Sequence, residues 1–243
     1  MIRVEDVHLR FKAPVLKGVS LHIPEGCIYV LIGPGAAGKS VMLKCIAGLL
    51  RPQRGRIWVA GEEITALDDL QMMQLRKKIG MLFQNYALFD LSVGENIAFP
   101  LRRLFDLPQN EIEERVAERL ERVALPGIQN RIPASLSGGQ KKRVGVARAT
   151  IAKAPVVLYD EPTAGLDPVT SQKIYNLIRD EQRAQKSTVV VISSDVAGAL
   201  TIADRVGMLH RGELIFDGTV DEARTSKHPA VDQFVHGKTE GPL

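Results

Sequence analysis

The sequence predicts an α/β protein with a parallel sheet at its core, an antiparallel β-subdomain at its N-terminus and an α-helical segment inserted in the middle. Apolar runs at residues 28–32, 156–159 and 188–193 are typical of parallel strands, because strands covered on both faces need no polar side. Residues 1–30 alternate in the manner of a small antiparallel sheet. The inserted segment is marked by apolar residues at helical spacing, namely Ile112, Val116, Leu120 and Val123.

Turn-forming residues divide the first third of the chain into elements. Pro14 and residues 24–26 separate the early strands. The elements predicted after them are, in order, a strand over residues 27–32, a helix over 41–50 that ends near Gly48 and Pro52, a hairpin over 55–64, a polar helix over 68–78 and a short strand over 79–83. Residues 91–107, at the start of the helical insert, are mixed in character and broken by proline.

Composition bounds the class of protein. With 243 residues and 45% apolar content the chain can form one globular unit, and a net charge of +4 is too slight to predict a nucleic-acid partner. The basic cluster at residues 141–143 is expected to be a solvated helix face. Cys27 and Cys45 form no disulfide or zinc pattern, so we expect a reducing compartment. No apolar run approaches the roughly eighteen residues that span a bilayer, so we expect a soluble protein, and any membrane role would have to come through a partner.

The segment at residues 33–40, Gly-Pro-Gly-Ala-Ala-Gly-Lys-Ser, fits the pattern G-x-x-x-x-G-K-[ST] and lies between a strand and a helix. Glycines let backbone N–H groups face an anion, Lys39 can neutralise outer phosphates, and the Ser40 hydroxyl can ligate Mg²⁺. The dipole of the following helix adds to the attraction. A glycine-rich turn can be merely structural, but the placed Lys and Ser predict a nucleotide phosphate cradle.

Two carboxylates end the apolar strand at residues 156–159. Asp160 at the strand tip can hold Mg²⁺ through its water shell, and Glu161 can polarise an attacking water as general base. An acidic pair in this position can also be a solvated turn. Together with the cradle upstream, the pair predicts phosphoryl transfer to water.

A second phosphate-binding element is predicted at Leu136-Ser137-Gly138-Gly139-Gln140. Ser137 can cap the helix that follows, and the two glycines expose backbone N–H groups at its start. One nucleotide does not need two such helix termini, so this one is available to another anion.

These motifs, in this order and spacing, resemble the nucleotide-binding domain of ATP-binding cassette (ABC) transporters over nearly the whole chain. The resemblance implies a P-loop NTPase (RecA-like) core with an N-terminal antiparallel β-subdomain and an inserted α-helical signature subdomain. It also implies a single domain over residues 1–243. Its expected parts are a core with β-subdomain at 1–84 and 154–225, a helical subdomain at 85–153 and a C-terminal tail at 226–243.

The resemblance also assigns roles residue by residue, with ATP and Mg²⁺ as ligands. The residues expected at the nucleotide are Phe11, Gly33, Pro34, Gly35, Ala36, Ala37, Gly38, Lys39, Ser40, Val41, Ser137, Gly138, Gly139, Gln140 and Asp167. Those expected in catalysis are Glu161, Gln84 and Ser194, and those expected at the metal are Ser40, Gln84 and Asp160. Phe11 would stack on adenine, although it could be a core aromatic, and Gln84 would sense Mg²⁺ and water, although it could be a simple strand cap.

The sequence departs from the family pattern in three ways. Residues 36–37 replace a Ser-rich stretch and Val41 replaces Thr, with little expected loss because backbone amides bind the phosphates. Ser194 stands where the family has the switch-loop His, and a hydroxyl is shorter than imidazole and cannot carry a positive charge. We therefore expect normal nucleotide binding and slow turnover.

The resemblance further implies partners and a location. Two copies would pair head to tail, most simply as a homodimer, beneath a transmembrane permease that residues 85–105 contact through exposed Tyr86, Leu88 and Phe89. The chain would then be cytoplasmic and peripheral on the inner membrane. Residues 81–101 and the tail at 232–242 are similar to the Mla/Mce phospholipid-transport ATPases, which implies phospholipid transport and a possible Mce-type substrate-binding subunit.

Other functions remain open at this point. The chain could serve a different ABC importer, or, as a hydrolysis-impaired clamp, form the degenerate half of a mixed pair. A soluble ABC ATPase acting on ribosomes or DNA is disfavoured, because those usually carry two cassettes or long coiled coils and this sequence has one cassette and no heptad run.

Overall fold

The computed structural model describes residues 1–85 and 87–243, so Tyr86 lies outside the described residues. The strands are β1 (Ile2–Arg10), β2 (Pro14–Ile23), β3 (Ile28–Ile32), β4 (Arg54–Val59), β5 (Glu62–Glu63), β6 (Ile79–Leu82), β7 (Val156–Asp160), β8 (Thr188–Ile192), β9 (Arg205–His210) and β10 (Glu213–Thr219). The helices are α1 (Lys39–Ile46), α2 (Asp69–Arg76), α3 (Val93–Leu104), α4 (Gln109–Arg122), α5 (Gly138–Thr150), α6 (Pro168–Gln185), α7 (Val196–Leu200), α8 (Val220–Arg224) and α9 (Pro229–His236).

The described strands form two sheets. One is antiparallel, in the order β2-β1-β4-β5, and the other has the order β10-β9-β3-β8-β7-β6. Neighbouring strands from β9 to β6 in the second sheet run parallel, and β10 is antiparallel to β9. The predicted α/β class with an antiparallel β-subdomain is confirmed.

Both faces of the parallel sheet are covered, which explains its continuous apolar strands. Along β3, Tyr29 and Leu31 pack into a core shared with the antiparallel sheet and α1, whereas Val30 and Ile32 pack on the opposite face against α6. A third core joins α3, α4 and α5 through residues that include Ile97, Leu120 and Val144. The inserted helices therefore have a core of their own.

Two predicted element boundaries were wrong. Helix α1 ends at Ile46 and not at Leu50, because Gly48 takes a left-handed φ of 65° and the N–H of Leu49 bonds back to the Lys44 carbonyl at 2.8 Å. This Schellman arrangement stops the helix at the predicted glycine. Helix α3 runs unbroken through Pro100, because Ser92 and Glu95 form a capping box at its start and its buried face packs into the third core.

The C-terminal segment is an ordered part of the fold. Helix α9 buries Ala230 and Val231, and Val231 belongs to the same core as α6, so this stretch packs on the folded core. None of the helices among residues 1–85 and 87–243 is long and apolar enough to cross a membrane.

Candidate functional site

The predicted site residues converge because the parallel strands end at one edge of the sheet. Strands β3, β8, β7 and β6 are consecutive neighbours, so the segments that follow them lie side by side. Ligands of open α/β sheets bind at this edge. These segments are the cradle at 33–40, the loop at 193–195, the carboxylates at 160–161 and the residues around Gln84.

The cradle adopts a backbone that requires its glycines. Gly33 and Gly38 have φ of 140° and 103°, and a Cβ on Gly33 would lie 2.0 Å from the Leu209 carbonyl oxygen. The Lys39 ammonium turns back into the loop and donates to the Gly33 and Pro34 carbonyls at 2.6 and 2.9 Å. Burial lowers the pKa of Lys39, and the nearby Glu161 and Asp160 oppose that shift. This arrangement places a half-buried cation inside a loop of turned-in backbone, which suits a phosphate.

A pair of oxygen ligands lies beside the cradle. The Ser40 hydroxyl donates to Asp160 Oδ1 at 3.0 Å, across 120 residues of sequence. Burial raises the pKa of Asp160, while the Ser40 hydrogen bond and two lysines, Lys44 and Lys39, act in the opposite direction. Within the described residues no group of three or more His, Cys, Asp or Glu side chains could hold a metal. One hydroxyl and one buried carboxylate fit Mg²⁺, which keeps several waters and uses few protein ligands.

Glu161 follows Asp160 and leaves the strand abruptly. Its φ of 50° is left-handed, and its N–H donates to the Ile192 carbonyl at 2.9 Å. Its Oε2 accepts hydrogen bonds from both the backbone N–H and the hydroxyl of Ser194, each at 2.9 Å. Ser194 therefore contacts the predicted base directly, a contact that sequence reasoning did not anticipate.

Lys142 is a site residue that sequence reasoning missed. The prediction of a solvated basic face at residues 141–143 is wrong at this position, because Lys142 is 0% exposed. Its ammonium donates to the Gln84 carbonyl at 3.1 Å and to the Glu161 carbonyl at 2.8 Å. Its spacing was the available signal, since Lys142 precedes the buried Val146 and Ala149 by four and seven residues on one helix face.

The signature segment forms the start of α5 as predicted. The Ser137 N–H donates to Gln140 Oε1 at 2.9 Å, and the Gln140 N–H donates to the Ser137 hydroxyl at 3.3 Å. Ser137 and Gly138 are exposed. This helix terminus is therefore open to solvent, and in the described part of the chain no hydrogen bond joins residues 137–140 to the cradle.

Three further predicted residues lie at the surface. Phe11 follows β1 and is 58% exposed, which excludes the core-aromatic alternative. The Gln84 side chain is exposed at the end of β6. Asp167 accepts a hydrogen bond from the Thr170 N–H at 2.9 Å as the N-cap of α6, and hydrogen bonds from Thr170 lower its pKa.

A family model described as "ABC transporter" matches residues 16–164, more than half of the chain. The chain belongs to the ABC transporter family. This ABC cassette is 43% identical over 232 residues to the methionine import ATP-binding protein MetN of Thermobifida fusca (strain YX), covering 93% of the chain and 72% of that protein. It is 39% identical over 262 residues to Protein TRIGALACTOSYLDIACYLGLYCEROL 3, chloroplastic, of Arabidopsis thaliana, covering 100% of the chain and 75% of that protein.

Two other comparisons extend the likeness. The cassette is 39% identical over 230 residues to the probable ribonucleotide transport ATP-binding protein mkl of Mycobacterium leprae (strain TN), and it spans 66% of that protein. A solved structure of the ATP-binding cassette MJ0796, a dimeric post-hydrolysis state bound to ADP and Pi, matches with a TM-score of 0.84 and 32% identity. That match covers 90% of this chain and 99% of the other. The P-loop NTPase fold is thereby confirmed, and the chain is an ABC-type ATPase subunit that binds ATP.

The surface beside Gln84 on this ABC cassette carries an apolar groove of about 330 Å³. Phe89 and Phe99 pack in it with ring centroids 4.5 Å apart, and Phe89 is 42% exposed. The expected exposure of Leu88 is wrong, because Leu88 packs against the core of the helical segment. The groove lies between β6, α3 and the C-terminal end of α5, which contributes Arg148 and Ala149 to its lining.

Proposed function

We propose that the cradle binds the phosphates of ATP while Ser40 and Asp160 hold Mg²⁺. The contact of 3.0 Å between those two side chains carries this proposal, because it joins the cradle helix to the end of β7. Lys39 would leave its carbonyl partners and donate to the outer phosphates. Bound Mg²⁺ would supply positive charge against the phosphate oxygens.

Glu161 would act as the general base. Its carboxylate lies at the strand edge within reach of the same loops, and its Oε2 accepts two hydrogen bonds from Ser194. The carboxylate would take a proton from an attacking water through an oxygen that Ser194 does not occupy. Gln84, exposed at the end of β6, would help to orient that water.

The site would be completed by a second copy of this chain. The outward-facing signature at residues 137–140 supports this, because it offers N–H groups and a helix dipole to an anion that its own cradle does not hold. Phe11 and Asp167, both exposed, would line the adenine side and the subunit boundary. The solved MJ0796 cassette, which is dimeric and bound to ADP and Pi, supports pairing of two copies.

A separate permease would contact residues 85–105, which supply Phe89 and Phe99 to the groove beside Gln84. Apolar rings flanked by Arg103 and Arg148 suit an amphipathic segment of that partner. The permease would place the chain on the cytoplasmic face of a membrane. We expect the helical part to move with the permease while the core stays in place. This rests on the proposed division into a core at residues 1–84 and 154–225, helices at 85–153 and a tail at 226–243.

For the substrate we propose a phospholipid or related lipid. One relative, whose alignment covers the whole chain, bears the name of a glycolipid, trigalactosyldiacylglycerol. The tail of this chain also resembles that of phospholipid-transport ATPases. A Mce-type substrate-binding subunit would belong to such a system. A second candidate is an amino acid importer, which the 43% identity to a methionine import ATPase favours.

Two experiments test these proposals. The Glu161→Gln variant should bind ATP and form a nucleotide-dependent dimer on gel filtration while losing hydrolysis, and hydrolysis at the wild-type rate would exclude Glu161 as the base. ATPase of the chain assembled with its permease in phospholipid vesicles should respond to the lipid composition. Stimulation by L-methionine without any response to lipid would select the second candidate.

A further inference from the structure

Lys142 connects three segments that the nucleotide site uses. It lies on α5, whose first residues form the signature, and its ammonium reaches the backbone of Gln84 after β6 and of Glu161 after β7. Both acceptors are carbonyl oxygens of residues expected in catalysis. A buried ammonium is therefore placed where the helical segment meets the catalytic edge of the sheet.

The free-energy cost of burying the Lys142 ammonium indicates that its contacts have a role beyond packing. Burial lowers the pKa of Lys142 to about 8, and Glu161 and Asp160 act in the opposite direction. A buried charge is retained only where hydrogen bonds compensate its lost hydration. A methionine or leucine would fill the same volume without that cost, so packing alone does not explain a lysine here.

The distance along α5 is short. Lys142 is five residues from Ser137, a rise of about 7.5 Å in an α-helix. The helix between them is continuous and begins with the capping box of Ser137 and Gln140. A displacement of the signature end would therefore be carried to the Lys142 ammonium without an intervening hinge.

We propose that Lys142 is a positioning residue that couples the signature helix to Glu161 and Gln84 of the same subunit. The inference rests on the proposed function, in which the signature contacts the nucleotide held by the other copy. When that contact moves α5, Lys142 pulls on the carbonyls of Glu161 and Gln84 and aligns the base in its own site. The two nucleotide sites of the pair thus communicate through one side chain in each subunit.

The test is steady-state ATPase of the Lys142→Met variant, which nearly keeps the side-chain volume and removes the hydrogen-bond donors. We expect kcat to fall about 10- to 100-fold, because a misplaced catalytic group costs on this scale, while KM for ATP stays within about twofold. Lys142→Arg should recover part of the activity, because it restores donors at the same place. Lys141→Met is the matched control, a neighbouring lysine on the same helix, and should hydrolyse ATP at the wild-type rate.

A double variant separates positioning from a structural role. Combined with Glu161→Gln, Lys142→Met should cause little further loss in single-turnover hydrolysis, because both changes disable the same step. The inference would be overturned if the losses of the two single variants multiplied in the double variant. It would also be overturned if Lys142→Met left kcat unchanged, or if KM for ATP rose as kcat fell. Should the Met variant fail to fold, Lys142→Gln and Lys142→Arg carry the same measurements. Hydrolysis that does not depend on Glu161 at all would instead refute the proposed function.

Discussion

Ser194 offers the sharpest test of how the site works, because it stands where a histidine is expected and the structure shows what it contacts. Its hydroxyl donates to Glu161 Oε2 at 2.9 Å, and its backbone N–H donates to the same oxygen. The Ser194→His change would remove the hydroxyl and add an imidazole that reaches further toward the nucleotide. The backbone N–H that holds the carboxylate would remain.

The expected gain in kcat follows from the hydrogen-bond donor that the histidine would restore. Removing one positioned transition-state donor costs a factor of about 10² to 10³ in kcat, or roughly 3 to 4 kcal/mol, so restoring one can raise kcat by up to that factor. The lost hydroxyl bond to the half-buried Glu161 carboxylate is itself open to solvent, so it is worth about 1 kcal/mol and reduces the gain. We expect Ser194→His to raise kcat at least tenfold with little change in KM.

The assay is steady-state ATPase of the purified chain, with Ser194→Ala as the matched control. The alanine variant removes the hydroxyl without adding a donor, so its kcat should stay within about fivefold of wild type. A histidine variant no faster than the starting protein would show that Ser194 does not limit turnover. A similar increase in both variants would assign the effect to release of Glu161 and not to the imidazole.

Three further changes test other parts of the molecule. Lys39→Ala should abolish tight ATP binding in calorimetry, because it removes the cation held in the phosphate loop. Phe89→Glu should leave ATPase of the isolated chain intact but prevent co-purification with the permease, because it places a charge in the apolar groove. Glu181→Gln should lower stability by about 3 to 5 kcal/mol, and Tm by roughly 10 °C, because it leaves the buried Arg119 without its ion-pair partner.

Matched controls accompany the last two changes. Leu70→Glu places the same charge on α2 at a residue that is 76% exposed, and co-purification with the permease should survive it. Glu111→Gln disrupts a partly exposed ion pair with Arg115 within one helix, which should cost less than about 1 kcal/mol. Unchanged ATP affinity in Lys39→Ala would contradict the role of the lysine in ATP binding. Intact assembly of Phe89→Glu with the permease would contradict docking in the groove. Equal losses of Tm in Glu181→Gln and Glu111→Gln would contradict the cost assigned to the buried ion pair.

Local motifs were the part of the molecule that the sequence could predict. The cradle needs glycines at defined backbone angles and a helix immediately after it, and both requirements are met within eight residues. The capping box of Ser137 and Gln140 is local in the same way. Continuous apolar runs likewise sufficed to predict β3, β7 and β8, because each of these strands is buried on both faces.

Contacts between distant residues explain what the sequence did not predict. Lysine is usually a surface residue, and Lys142 is buried only because β6, β7 and α5 meet around it. Arg119 and Glu181 are 62 residues apart, so their pairing between α4 and α6 has no local signal. Pro100 likewise breaks a helix by local rules, and the packing of α3 against α4 and α5 outweighs that preference.

The conformation of Glu161 ties these distant contacts to the proposed chemistry. A left-handed backbone costs a residue with a side chain about 1 to 2 kcal/mol, so Glu161 keeps it only with outside support. Its N–H is held by Ile192 of β8, its carbonyl by Lys142 of α5 and its carboxylate by Ser194. Because each support comes from a different segment, a shift of α5 or of the loop after β8 removes part of it. Glu161 therefore has its present geometry only while those segments are in place, so the proposed base would be sensitive to motions that begin far from the site.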